Sequence, residues 1–294
     1  NYGTSKYARL IPRKDEVEAV TRESLVATHR SLYIPNGATL SVVGDVKAKD
    51  LMPRIKAHFA DWKPGPKENM PPPSDFKPYT STAVHVIDRP GSQQTQLRFT
   101  NIGIPRNHPD YIPLVVANRI LGAGSTGRLF QKIREEKGYT YGAYSSFSAP
   151  RWTGTWGAYA SVRTEVTGPA TDDFLAEFAR IQNEPVTGAE LARAKRTIIG
   201  SFARTLESPD NIMGKTMEII RNGLPADFWE TYPAKLQAVT AEDVQRVCRK
   251  YLGEGRIQII AVGEAKAIVP VLAKHGPVLY YNDDIQPIDA PSQP

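Results

Sequence analysis

The chain has 294 residues, a formal net charge of +6 and one cysteine, Cys248. Its length fits about two domains. The basic residues are scattered without a run of five or six, which argues against a nucleic-acid-binding protein. The longest apolar runs, Leu114 to Leu121 and Ile257 to Val262, are too short to cross a bilayer. A lone cysteine excludes an internal disulfide, and its inward helix position makes it a buried, inert thiol.

The first element in chain order is also half of a repeat. Residues 20–56 read as a second copy of residues 239–275, with one constant offset setting Thr21 on Thr240. Val20, Glu23, Arg30, Val43, Gly44, Lys47 and Ala48 match Val239, Glu242, Arg249, Val262, Gly263, Lys266 and Ala267. Each copy reads as a helix, a strand ending in Gly and an acid, and another helix. In the first copy these are Asp15 to Leu32, Ala38 to Val43 and Leu51 to Trp62. The repeat predicts two copies of one domain in tandem. Only twenty residues precede Thr21, and there is no initiator Met. The expectation is a first copy cut short, with roughly 130 residues of the repeat lying upstream.

Lys63 to Pro78 carries Pro64, Pro66, Pro71, Pro72, Pro73 and Pro78. That density forbids helix and central strand, and predicts a stiff linker. Residues 1–62 are therefore the C-terminal part of the first copy and 63–80 a linker. Residues 81–282 are the complete second domain, and 283–294 a loose tail.

In the second domain, Val84 to Asp88 and Gln94 to Gly103 read as strands. Pro109 to Leu121 and Thr126 to Lys137 read as helices, the latter stopped by Gly138. Thr140 to Phe147 and Thr155 to Val162 read as an antiparallel pair. Helices follow: Thr171 to Gln182, then one opened by the capping box Thr187-x-x-Glu190 and running to about Leu206, then one started at Ser208-Pro209. Paired strands, a block of helices and a returning strand give an α+β fold, its antiparallel sheet covered by helices on one side.

Gly122-Ala123-Gly124-Ser125-Thr126-Gly127 fits G-x-G-x-x-G. A helix precedes it where the dinucleotide fingerprint needs a strand, so a flexible connection is the better reading. Small residues still let another chain approach closely. The five histidines, His29, His58, His85, His108 and His275, form neither H-E-x-x-H nor H-x-x-E-H, and there is no G-x-S-x-G. The most specific local signal runs from Leu129 to Tyr141. Leu129, Phe130 and Ile133 form a core stripe, with Arg134 beside it near the helix end. Alternation after Gly138 sets Tyr139, Tyr141 and Ala143 on one face. Arg134 and Tyr141 can converge to offer donors to a carbonyl oxygen or oxyanion. Read on physics alone, an Arg bridging local carboxylates and a Tyr packed in the sheet are the simpler roles.

At these residues the chain resembles the insulinase (pitrilysin, mitochondrial processing peptidase) family of zinc metallopeptidases. Ser31 to Ala38 and Val42-Val43-Gly44-Asp45 resemble the end of that family's first domain. Arg134 to Tyr141 resembles the R-x-x-x-G-x-x-Y element of its second. The resemblance implies two α+β domains forming a half-shell, and a chamber closed by two half-shells around a peptide. It also implies a zinc ion held by H-x-x-E-H and a further Glu, with the motif Glu activating water. Arg134 and Tyr141 then take catalytic roles, holding substrate and steadying the tetrahedral intermediate, while Gly122, Gly124 and Gly127 take up substrate. This chain lacks H-x-x-E-H. The resemblance therefore implies zinc supplied by an N-terminal segment or a homologous zinc-bearing subunit, and no peptide cleavage by these residues alone. A structural, non-catalytic subunit is the alternative. Export to the periplasm is a further implication.

Overall fold

The structure, a computed structural model, describes residues 12–66, 79–253, 255–282 and 285–289. These divide into two compact units. The larger takes the described part of Lys77–Phe202 and of Asn222–Pro294; the smaller takes that of Tyr2–Phe76 and of Ala203–Arg221. Residues 67–78, most of the expected proline linker, lie outside the described residues, as do parts of the expected tail.

In the smaller unit, α1 (Lys14–Glu18), α2 (Arg22–Leu32) and α3 (Ala48–His58) form. The helical spacing over Asp15 to Leu32 breaks into two helices because Thr21 is an N-cap, its hydroxyl accepting from the Ser24 amide at 3.1 Å. The expected strand over Ala38 to Val43 does not form. A strand needs neighbours to take its backbone groups, and none pairs with it among the described residues.

The larger unit is built on a seven-stranded sheet. Its strands are β1 (Ala83–Asp88), β2 (Gln94–Ile102), β3 (Ala143–Phe147), β4 (Thr155–Arg163), β5 (Gln258–Gly263), β6 (Val278–Tyr281) and β7 (Pro287–Ile288). The spatial order is β3-β4-β2-β5-β1-β6-β7. β2 pairs antiparallel with β4 along its whole length and with β5 on its other side. The sheet is mixed where an antiparallel one was expected, because β1 runs parallel to both β5 and β6. The chain leaves β5 through helix α10 (Ala265–Leu272) and crosses over β1 to reach β6, a connection that demands parallel strands. Asp88, at the end of β1, fixes that crossover by accepting from the Ala265 amide at 2.9 Å. β7 falls inside the expected loose tail, where Pro287 and Ile288 instead pair with Tyr281 and Tyr280.

One sheet face is buried and the other open, as strand alternation requires. Leu97 and Phe99 of β2, Trp156, Ala158 and Val162 of β4, and Ile259 and Ala261 of β5 face the helices. The remaining helices are α4 (Tyr111–Leu121), α5 (Thr167–Asn183), α6 (Gly188–Thr205), α7 (Pro209–Asn222), α8 (Phe228–Ala238) and α9 (Ala241–Tyr251). Phe174 and Phe178 of α5 lie on the sheet. Phe174 stacks on Phe99 with centroids 4.7 Å apart, and Phe178 meets Trp156 edge-on at 5.2 Å. Each such fully buried ring contributes about 1.5–3 kcal/mol. Cys248 is buried on α9, as expected, and burial pushes its thiol up to about 12.

The matched segments share a helix cap in three dimensions but not a strand. Thr240 caps α9 as Thr21 caps α2, accepting from the Asp243 amide at 3.1 Å. Burial differs sharply between the copies. Val244 and Ile259 are fully buried, while their counterparts Leu25 and Leu40 are each 59% exposed.

Candidate active site

The site is built on one connection, from α4 to β3. α4 ends at Leu121, and the Gly122 and Ala123 amides both donate to the Asn118 carbonyl at 2.9 Å. The glycine loop then folds against the start of β3: the Ser145 amide donates to the Gly122 carbonyl at 3.0 Å, and the Ser145 hydroxyl donates to Asn118 Oδ1 at 2.8 Å. A Cβ at Gly122 would sit 2.6 Å from the Ser145 nitrogen, and one at Gly127 would sit 2.7 Å from the Gly122 Cα. These two glycines are required by the packing of the loop itself. Gly124 has φ +128°, and its nearest neighbour is the Arg119 guanidinium.

After Leu129 the chain forms a widened, π-helical segment, Phe130–Glu136, in which the Lys137 amide reaches back to Lys132 at 3.1 Å. Such wide turns cost hydrogen-bond geometry and recur at functional positions. Ile133 is fully buried and anchors the segment. Arg134, the next residue, has a side chain 43% exposed, and among the described residues its one ion pair is with the neighbouring Glu135 at 3.5 Å. An exposed pair of this length holds a guanidinium weakly.

Gly138 then turns the chain with φ +62°, a conformation that disfavours any side chain. The following residues are tied down one by one. The Tyr139 amide donates to the Ile133 carbonyl at 3.1 Å, the Thr140 hydroxyl donates to the Ser161 carbonyl at 2.5 Å, and Arg163 donates to the Gly138 carbonyl at 3.0 Å. β3 begins only at Ala143, so alternation does not extend back to Tyr141. Ala143 is fully buried, whereas Tyr141 is 92% exposed. The expected common face of Tyr139, Tyr141 and Ala143 does not exist, because Tyr139 to Gly142 lie outside any strand. Tyr141 is thus not packed in the sheet, and no hydrogen bond joins it to Arg134 among the described residues.

Sequence reasoning missed the charged side chains behind this segment. Arg128 is buried and grips Glu190 through two bonds, Nε to Oε1 at 2.8 Å and Nη2 to Oε2 at 3.1 Å. Glu190 also closes the expected capping box, accepting from the Thr187 amide at 2.9 Å. Burial works to raise the Glu190 pKa, but the bonds from Arg128 and Thr187 overcome it and hold the carboxylate at about 2. The capping box was legible; its long-range partner Arg128 carries no local signal. Asp110 is similar. Burial opposes its charge, yet the Tyr251 hydroxyl at 2.7 Å, Arg246 at 2.6 Å and Lys250 at 2.9 Å hold its pKa far below the usual range. That network ties the start of α4 to α9.

No three His, Cys, Asp or Glu side chains converge as a metal-ligand set among the described residues. The described residues do not offer the donor set of a catalytic zinc ion. No described helix is long and apolar enough to cross a membrane.

Comparison with known proteins finds a family model, curated relatives and solved structures that this chain resembles. A family model described as the peptidase M16 inactive domain matches residues 19–198. An uncharacterized zinc protease of Streptomyces coelicolor is 26% identical over 86% of this chain and 55% of its own length. The beta subunit of the human mitochondrial-processing peptidase is also 26% identical, over 86% of this chain and 53% of its own. The chain spans about half the length of the curated relatives it matches. A crystal structure of a peptidase M16 inactive domain from Pseudomonas fluorescens superposes with TM-score 0.77 at 26% identity, covering 85% of this chain and 60% of that one. A complex III chain from Candida albicans shares the fold, with TM-score 0.71 at 20% identity over 86% of this chain and 61% of its own. With its α+β architecture and a model match over more than half its length, this chain belongs to the peptidase M16 family.

Proposed function

We propose that this chain supplies the substrate-binding and transition-state-stabilising part of a zinc-dependent metalloendopeptidase. The observation that carries this is the availability of Arg134 and Tyr141. Ile133 and Ala143 are buried and Glu136 and Thr140 are hydrogen-bonded, while the Arg134 side chain is 43% exposed and Tyr141 is 92% exposed. A guanidinium and a phenol can each donate to a carbonyl oxygen, and more strongly to the oxyanion that forms when water attacks it. In this reading the substrate passes the glycine loop at Gly124, which is half-buried, while Gly122 and Gly127 are buried and keep the loop compact. The zinc and its ligands come from polypeptide outside these residues, either an N-terminal segment or a homologous zinc-bearing subunit. The exposed apolar positions of the first copy support such a partner, since their counterparts in the second copy form core.

The test is reconstitution. The purified chain alone retains no stoichiometric zinc and shows no chelator-sensitive peptide cleavage; mixing it with a zinc-bearing homologous polypeptide restores cleavage. Chelator-sensitive proteolysis by the chain alone contradicts the proposal. A second reading, a structural subunit without chemistry, is favoured by the shared fold with the complex III chain. It predicts a stable assembly with the partner and no gain of turnover.

A further inference from the structure

The turn that carries Tyr141 is held at three places, none of them on the Tyr141 side chain. Arg163 of β4 donates from Nη1 to the Gly138 carbonyl at 3.0 Å. The Thr140 hydroxyl donates to the Ser161 carbonyl at 2.5 Å and accepts from the Gly142 amide at 3.2 Å. Gly142 lies against Tyr144, where a Cβ would stand 2.6 Å from the ring. That ring meets Phe130 and Tyr159, with centroids 5.6 and 6.1 Å away.

The Thr140 hydroxyl occupies a rung of the sheet. β3 and β4 pair antiparallel, with Ala143 opposite Ala160 and Phe147 opposite Trp156. The Ser148 amide donates to the Thr155 carbonyl at 2.9 Å, and in an antiparallel ladder every second pair is a bonded one. In that register the rung beyond Tyr144 and Tyr159 belongs to Gly142 and Ser161. It does not form, since β3 begins at Ala143 and the Gly142 amide goes to Thr140 instead. The hydroxyl has taken two partners of the missing rung, as donor to the Ser161 carbonyl and as acceptor from the Gly142 amide. Neither backbone group is left unmet where the strand stops.

Had β3 run on, alternation would set Tyr141 on the buried side with Ala143. Instead Tyr141 stands 92% exposed between two residues whose main chain is fixed. We propose that Thr140 is the positioning residue for Tyr141. By replacing one rung between β3 and β4, its hydroxyl holds the main chain on either side and presents the phenol outward. What the presented phenol does rests on the peptidase reading above; the hold itself does not.

The hold is read in the whole chain, without zinc or a partner, from exchange of the Gly142 amide followed by NMR. Thr140→Val keeps the shape and deletes the hydroxyl. Exchange at Gly142 quickens about tenfold, as loss of one hydrogen bond requires, and Thr140→Ser keeps the parent rate. Unchanged exchange in Thr140→Val overturns the proposal, as does an equal gain in Thr140→Ser. Quickening shared by the amides of β2 marks a global loss of stability and overturns it too. In the reconstituted zinc-bearing assembly, Thr140→Val lowers kcat about tenfold with little change in KM, and Thr140→Ser restores it. In a Tyr141→Phe background Thr140→Val adds no further loss, because it acts through the phenol. A full further tenfold loss there refutes the positioning role. A parent assembly that cleaves no peptide contradicts the peptidase reading instead, and the exchange result still decides the hold.

Discussion

The residues that matter most here are those whose surroundings leave them unused, and those whose surroundings hold them fast. Tyr141 is a large aromatic standing almost wholly in solvent, and the one ion pair of Arg134 among the described residues is with its neighbour Glu135. Asp110 and Glu190 are the opposite case, each charged against the cost of burial by fixed donors. For Glu190 the folded pKa, about 2, lies below the unfolded value of 4.5. Its stabilising contribution is therefore complete above pH 4.5 and is lost as pH falls towards 2. Urea denaturation across that window should show a falling midpoint in the parent chain, and a flatter profile in Glu190→Gln. An equal slope in both would mean that Glu190 is not held down. Cys248, with its thiol pushed up to about 12, should resist alkylation in the native chain and react on unfolding.

Among the elements, what the sequence disclosed follows from local chemistry. The cap at Thr187, the stop at Gly138 and the antiparallel pair β3–β4 were legible because each depends on residues within a few positions; the caps at Thr21 and Thr240 were not read from the sequence. What was not legible depends on distant partners. The parallel register of β1 with β5 and β6 is set by the crossover through α10, and no alternation pattern encodes it. Ala38 to Val43 has strand composition, but a strand exists only where neighbours take its hydrogen bonds. The reach of alternation back to Tyr141 failed because Gly138 and Thr140 build a turn before β3 starts. Arg134 and Tyr141 were singled out by family resemblance, since spacing alone favoured structural roles. The glycine loop gives an element-scale prediction. Gly122→Ala must displace the loop from β3, because its Cβ meets backbone, whereas Gly188→Ala meets nothing within 4 Å. Thermal unfolding should show a loss of about 1–3 kcal/mol for the first and little or none for the second. Equal stability of the two variants would mean that the loop is not seated as described.

Taken whole, the molecule carries two matched segments in two states of burial. In the larger unit the copy from Val239 onwards supplies core; in the smaller, matched positions such as Leu25, Leu40 and Val46 face solvent. No residue of α1, α2 or α3 is buried. Amide exchange is accordingly expected to be fast throughout α2 and α3 in the isolated chain and slow in β1, β2 and β5. Protection of α2 and α3 on adding a zinc-bearing homologous polypeptide would locate the contact; equal protection of all these elements without it would contradict the burial pattern.

The central claim concerns two side chains, and one measurement addresses it directly. Peptide turnover is followed in the reconstituted zinc-bearing assembly carrying Arg134→Ala or Tyr141→Phe in this chain, with zinc content and thermal stability recorded in parallel. Loss of donors aimed at a developing oxyanion predicts a fall in kcat of about a hundredfold or more for either variant, with metal and fold unchanged. Undiminished turnover in both variants would contradict the account.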